Sequence, residues 1–199
     1  IAAVIRGAKA ETMVLLGIGL VFFFQAMLAL IQYRSSAEAL QQIVYWSMGS
    51  LTRANWAANG VLAAVLIIAL PILWVLGWRL TALRLGDARA TAMGINTSRL
   101  RVVVLVVVSL VAATTVAFAG IIGFIGLVGP HIARMLVGED QRYFVPASMA
   151  AGAAVMCAAH AASLMIKPGL AIPIGIVTSL LGVPFFIAIV MTRRRALWT

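Results

Sequence analysis

The residues able to do chemistry are few and scattered. His131 and His160 each interrupt an otherwise uncharged stretch, and Arg134 follows His131 by three positions, on one face of any helix. An ionisable group in such surroundings could relay a proton or ligate a metal. Neither histidine has a second ligand at helical spacing. His131 therefore reads first as a structural hydrogen-bonding residue, and His160 as a boundary side chain near the end of its apolar stretch. The five acids (Glu11, Glu38, Asp87, Glu139 and Asp140) all fall in connections or at helix ends. Glu139, Asp140 and Arg142 read as a short solvated turn. The sequence contains no HExxH, GxSxG or GxxxxGK[ST] motif and no paired intramembrane carboxylates. No catalytic residue, bound cofactor or metal site is expected, and energy for any transport would have to come from another chain. Cys157 is the only cysteine, which excludes an internal disulfide, and it is expected to be a small core residue.

The remaining residues must build the elements that position these few. Of 199 residues, 64% are hydrophobic and 10% charged, with a mean hydropathy of +1.11. Soluble domains average about 45–50% apolar and about 25% charged, so a water-soluble fold is excluded. The formal charge of +10 would suggest nucleic acid in a soluble protein. Here the basic residues sit between apolar blocks and set membrane topology instead, with the lipid bilayer as partner and no nucleic acid.

A hydrocarbon core about 30 Å thick needs roughly 20 helical residues. Residues 12–33, 54–78, 143–166 and 168–192 each fit one crossing. The stretch from Val102 to about Gly138 could be one very long helix or two short ones. If it crosses twice, only Arg34, Arg53 and Lys167 fall outside, and 12 of the 15 basic residues lie inside; if it crosses once, the split is 8 to 7. The positive-inside rule selects six spans, near 13–32, 58–78, 100–118, 122–137, 144–166 and 174–192, with a turn near 119–122 and both termini cytoplasmic. Ile1 is not an initiator methionine, and the chain is expected to lack its natural N-terminus.

Three polar or small-residue stretches stand out. Residues 35–51 open with Ser-Ser-Ala-Glu, a helix N-terminus, and predict a short amphipathic helix at the outer interface, anchored by Tyr45 and Trp46. In the loop 79–101, Gly86 and Gly94 bracket a short helix that starts at Asp87, where an acid complements the helix dipole, and Asn96–Ser98 can cap the next helix. Its small residues, Ala90 among them, form a surface with a basic rim that suits close docking of a partner. Gly120, Gly123, Gly126 and Gly129 recur every third residue before Pro130. That spacing predicts tight helix packing and a shortened helix; the alternative is a broken helix that binds a solute.

The run from Gly123 to Arg134, Gly-Phe-Ile-Gly-Leu-Val-Gly-Pro-His-Ile-Ala-Arg, resembles a hallmark of the FecCD permease family. So do the turn and following residues 136–147, the stretches Ile172–Thr178 and Gly182–Phe186, Val44–Leu51, and Gly86–Gly94. The resemblance implies an all-α integral membrane fold of ten helices, of which the six here match the last six in a single permease domain over 1–199. It further implies the permease subunit of an ABC importer for iron-siderophore, haem or vitamin B12, in the bacterial inner membrane. The expected partners are a second permease, two cytoplasmic ATPases carrying ATP and Mg, and an extracytoplasmic binding protein.

By the same resemblance, Gly86, Asp87, Ala90 and Gly94 belong to the loop that docks on the ATPase. The first and last helices contribute to the path between two permeases, with Gln25, Met27 and Thr178 along it. The sequence departs from the family in three places. An outer Ala-Asp-x-x-Ala-Arg is Ala159-His160-Ala-Ala-Ser163-Leu164 here, leaving Lys167 to replace the arginine that helps dock the binding protein. Glu-Leu-Pro is Ala171-Ile172-Pro173, and Asp-His-Arg is Asp140-Gln141-Arg142. The rival readings are a membrane enzyme or stand-alone carrier using His131 and His160, and a truncated permease that inserts without functioning.

Overall fold

The computed structural model describes residues 10–166 and 172–195, all helix or connection. Eight helices follow in chain order: α1 (Ala10–Arg34), α2 (Ala37–Ser47), α3 (Trp56–Leu83), α4 (Asp87–Ala92), α5 (Thr97–Ala119), α6 (Ile125–Val137), α7 (Gln141–Ile166) and α8 (Ile174–Arg195). α1, α3, α5 and α7 are long and apolar enough to cross a membrane, while α6 and the Ile174–Ile187 part of α8 are shorter apolar helices. The expected split of the 102–138 stretch is present. α5 stops at Ala119, and the chain turns through residues 120–124 before α6.

Local chemistry accounts for the helix starts. Ser36 accepts a hydrogen bond from the Ala39 amide at 3.3 Å, Asn55 from that of Ala58 at 2.8 Å, and Asn96 from that of Arg99 at 2.9 Å. Each satisfies a first-turn N–H that the helix itself cannot. In α2, the Glu38 carboxyl is held below its ordinary range by its own backbone N–H and then by Ser36. With 28 residues, α3 is about 42 Å long, well beyond a 30 Å hydrocarbon core, so one end projects.

Among the described residues, two small cores hold the bundle. At one end Ala82 of α3, Ala90 of α4, Ile95 and Leu100 pack together, backed by Leu76, Leu80, Leu83 and Val104. At the other, Ala159 of α7 meets Ile174 and Val177 of α8, backed by Leu51, Ile122, Met156 and Ile172. Between them α6 and α7 form the most extensive helix pair. A Cβ on Gly129 would stand 3.0 Å from the Ser148 carbonyl and 3.1 Å from the Gly152 amide. The absence of a side chain at Gly129 is what lets these backbones cross; a Cβ on Gly152 would meet only the Ile125 side chain, at 3.6 Å.

Large apolar side chains face outward in number, among them Leu15, Phe22, Ile67, Val75 and Leu180. Lipid or other protein must cover them, since water would not. Every described α1 side chain except Gln32 is exposed. Cys157, expected in the core, lies on an exposed face of α7.

Candidate functional site

The end of the bundle that collects α3, α4, α5 and the α6–α7 turn carries most of the described charge. Here α4 is exposed at every residue but Ala90. Gly86 and Gly94 flank it with left-handed backbone, at φ of +99° and +78°. Asp87 opens the helix and pairs with Arg101 of α5 at 2.8 Å, while Thr91 Oγ1 donates to the Asp87 carbonyl. Ala90 is 0% exposed, packed inward on the first core. It was expected on the docking surface; the helical phase turns it to the core and gives the outer face to Ala88, Arg89, Ala92 and Met93. Ala90 is thus the anchor that seats α4 on α3 and α5.

The charged turn between α6 and α7 is largely exposed, as its composition predicts, and it also clamps α3. Arg84 of α3 pairs with Glu139 and also donates to the Glu139 carbonyl at 3.1 Å. Arg134 of α6 reaches the same carboxylate at 3.3 Å. Asp140 accepts from the Arg142 amide at 3.0 Å and pairs with the Arg142 guanidinium at 2.8 Å. The Thr81 hydroxyl of α3 accepts from the Gln141 amide at 3.0 Å. α7 is therefore capped partly by Asp140 and partly by a side chain of another helix. The Arg142 guanidinium, then its amide, holds the Asp140 carboxyl below the ordinary carboxylate range. Arg142 also crosses α3 at Gly77, where a Cβ would come within 3.2 Å of its Cγ.

The opposite end is built of backbone. Ser50 N–H donates to the Ala119 carbonyl at 2.8 Å, Ile174 N–H to that of Gly49 at 3.2 Å, and Gly175 N–H to that of Met48 at 3.1 Å. A Cβ on Gly120 would collide with the Trp46 carbonyl, one on Gly175 with the Met48 carbonyl, and one on Gly49 with the Ile121 carbonyl at 2.7 Å. Of the glycines read as a helix-packing series, Gly120 and Gly123 lie in the α5–α6 connection rather than on a helix. Gly126 has nothing within 4 Å, Gly123 meets only Ser179 Oγ at 3.6 Å, and Gly129 makes the close crossing. Pro130 stands within α6 without ending it. Phe124, at φ +66°, opens α6 with its side chain against Gly182 of α8.

Beside this backbone junction lies an open cavity of about 710 Å³, lined by Ser47, Met48, Ile121, Gly123, Ile176, Ser179, Leu180 and Val183, among others. Of the residues expected along a path, Gln25 and Met27 lie on the exposed α1. Thr178 is buried at 3% exposure, and its hydroxyl donates to the Gly175 carbonyl at 3.2 Å. It faces the interior of the α6–α7–α8 packing, so the hydroxyl that α8 presents to the cavity is Ser179. Helical phase was the one signal that could have separated the two, and it needed knowledge of which α8 face is inward.

His131 sits edge-on to the Phe185 ring at 5.6 Å, and no described residue hydrogen-bonds to it. The hydrogen bond expected of it is replaced by an aromatic contact. His160 is half-buried in α7. Among the described residues no group of three His, Cys, Asp or Glu could hold a metal ion. Lys167 lies outside the described residues.

The sequence pattern of the FecCD transport family matches residues 1–192. The chain is 38% identical over 189 residues to a proposed ABC transporter permease protein of Methanocaldococcus jannaschii, covering 95% of this chain and 54% of that one. It is 34% identical over 183 residues to the hemin transport system permease protein HmuU of Yersinia pestis, covering 92% and 54%. Among solved structures it resembles a proposed metal-chelate type ABC transporter in an inward-facing conformation, with a TM-score of 0.88 and 34% identity, over 92% of this chain and 60% of that one. The chain thus spans about half the length of these curated relatives.

Proposed function

The chain belongs to the FecCD transport family, and we propose that it serves as the transmembrane permease subunit of an ATP-driven importer for a metal chelate: an iron-siderophore, haem or a cobalamin-like molecule. In this reading it forms a homodimer in the bacterial inner membrane. Two cytoplasmic ATPases, which hold ATP and Mg, dock on the basic end, and an extracytoplasmic binding protein docks on the other. Both termini face the cytoplasm, and α2 lies at the outer interface. Lys167 is the candidate contact with the binding protein.

One observation carries the reading: at the basic end α4 is a six-residue helix between two glycine turns, exposed except at Ala90, which seats it, and held by the Asp87–Arg101 pair. Ala88, Ala92 and Met93 then offer a small, partly apolar outer face that a partner can approach closely. Gly86, Asp87 and Gly94 set how that face is presented. Cargo passes along the exposed α1, with Gln25 and Met27, and past the Ser179 face of α8. Such a cavity is apolar with few hydroxyls, which suits a bulky chelate better than a small hydrated ion.

The test is Ala92→Trp on the outer face. An intact helical fold with loss of ATPase retention and of ATP-dependent uptake is expected. Normal uptake and normal ATPase retention would sink the docking assignment. His131→Ala in the same assay is expected to leave ATP dependence in place, and ATP-independent activity that vanishes in this variant would favour the stand-alone carrier.

A further inference from the structure

We propose that the cleft between α3 and α5 at the basic end is a binding site for one anionic phospholipid, with its phosphate held by Arg79 and Arg99. The inference needs the chain to lie in a bilayer and does not depend on what it transports.

The cleft is a cavity of about 390 Å³ whose polar rim is Arg79, Asn96 and Arg99, with Trp78 beside them. Leu76, Leu100 and Val103 form its floor, and Met93, Gly94 and Ile95 at the end of α4 close its remaining side, next to the face proposed for docking. Among the described residues, no acidic side chain lines it. That matters because acids are near at hand: Arg84, Arg101, Arg134 and Arg142 are each in an ion pair, whereas among the described residues Arg79 and Arg99 are in none. Two guanidiniums facing one cleft without a carboxylate repel each other and favour an anion between them. Guanidinium suits phosphate in particular, since its planar fork donates two parallel bonds. The Asn96 carbonyl oxygen is occupied by the Arg99 amide, which leaves its NH₂ group to donate.

Depth separates a lipid from a soluble anion. Arg79 and Leu76 are three residues apart on α3, and Arg99 and Val103 four apart on α5, so rim and floor are about 5 Å apart along each helix. The floor lies within the apolar runs of both helices, and the neighbouring outward residues Val75 and Val106 continue the apolar surface. A free phosphate would use the rim and leave the floor empty; an acidic segment of a soluble partner could not follow the floor into hydrocarbon. A phospholipid has the charge for the rim and the acyl carbons for the floor. The volume, the share of roughly a dozen waters, matches a headgroup with the start of its chains. Trp78, 51% exposed, supplies the amphipathic ring favoured at this depth.

The full chain, purified in detergent, is examined by native mass spectrometry for retained phosphatidylglycerol against phosphatidylcholine. Preferential retention of phosphatidylglycerol is expected. At about fivefold per basic residue near a membrane surface, R79Q/R99Q should retain it about thirtyfold less, with Arg89→Gln unchanged. Val103→Trp, which fills the floor and keeps both arginines, should also lose it, and this variant decides the matter if R79Q/R99Q fails to insert. Equal retention by wild type and either cleft variant overturns the proposal. So does protection of the lipid-stripped chain by inorganic phosphate as strong as by phosphatidylglycerol, which would make the cleft a site for the free anion.

Discussion

The two ends of the bundle are fastened by different chemistry. At the basic end, Arg84, Arg134, Glu139, Asp140 and Thr81 tie α3 to the α6–α7 turn through side chains that are mostly exposed. At the other end, Gly49, Gly120 and Gly175 bring the α2–α3 connection, the α5–α6 connection and α8 into backbone contact. Exposed ion pairs have solvent as an alternative partner, so their geometry can change at little cost. A backbone junction with no room for a methyl group has no such freedom. The basic end can therefore rearrange more readily than the opposite end, which has to keep its register.

The largest test of that contrast is Gly120→Ala. Gly120 sits at φ +76°, where a Cβ is strained, and that Cβ would strike the Trp46 carbonyl. Strain and overpacking together should cost about 3 kcal/mol or more, read as a large fall in thermal unfolding midpoint in detergent. Gly175→Ala, in unstrained helix but against the Met48 carbonyl, should follow closely. A stable Gly120→Ala protein would show that the junction yields as easily as the clamp.

Next comes the seat of α4. Ala90→Leu adds volume to a site with no exposure and should cost about 1–3 kcal/mol. Ala92→Trp, two residues on and exposed, should leave the unfolding midpoint within error. Equal losses from both would mean that α4 has no inward and outward face.

Asp140 should matter less than either. Asp140→Ala removes the acceptor for the Arg142 amide and the partner of its guanidinium, leaving Thr81 as the remaining cap. Its carboxyl is held below the ordinary range, so the folded state favours the ionised form. The stabilisation is then complete above the ordinary carboxyl value of about 3.9 and is lost as pH falls through the lower folded value. Wild type and Asp140→Ala should therefore differ at pH 7 and converge in strong acid. A difference unchanged down to pH 2 would exclude the charge from the clamp.

How legible this was in the sequence follows from range. The break between α5 and α6 showed because basic residues report topology, and α2 showed because Ser36 and Glu38 are local capping signals. The helix starts at Asp87 and Thr97 were visible for the same reason. Thr178 and Cys157 were misplaced because helices apolar nearly all round give no phase from sequence alone; Ala90 was misplaced because α4, at six residues, is too short for its alternating small residues to show which face is inward. The 139–142 turn is charged and largely solvated as expected, but its tie to α3 was not legible because its partners, Thr81 and Arg84, lie more than fifty residues away. Glycine spacing found Gly129 but could not name Gly152 opposite it, and it put Gly126 in the same class although nothing adjoins Gly126.

The smallest expected effect is at Glu139, and it sharpens the comparison most cheaply. Glu139→Gln removes the charge that Arg84 and Arg134 share, while the Arg84 bond to the Glu139 carbonyl and the Asp140 cap both remain. The carboxylate is half exposed, so the loss should be within about 0.5 kcal/mol and should vanish at high salt. Two arginines on one carboxylate also repel each other, which offsets part of what the pairs contribute. Gly120→Ala should show no such salt dependence, because a steric clash is not screened. A Glu139→Gln loss that rivals Gly120→Ala and survives high salt would place the rigid fastening at the basic end and reverse the assignment of the two ends.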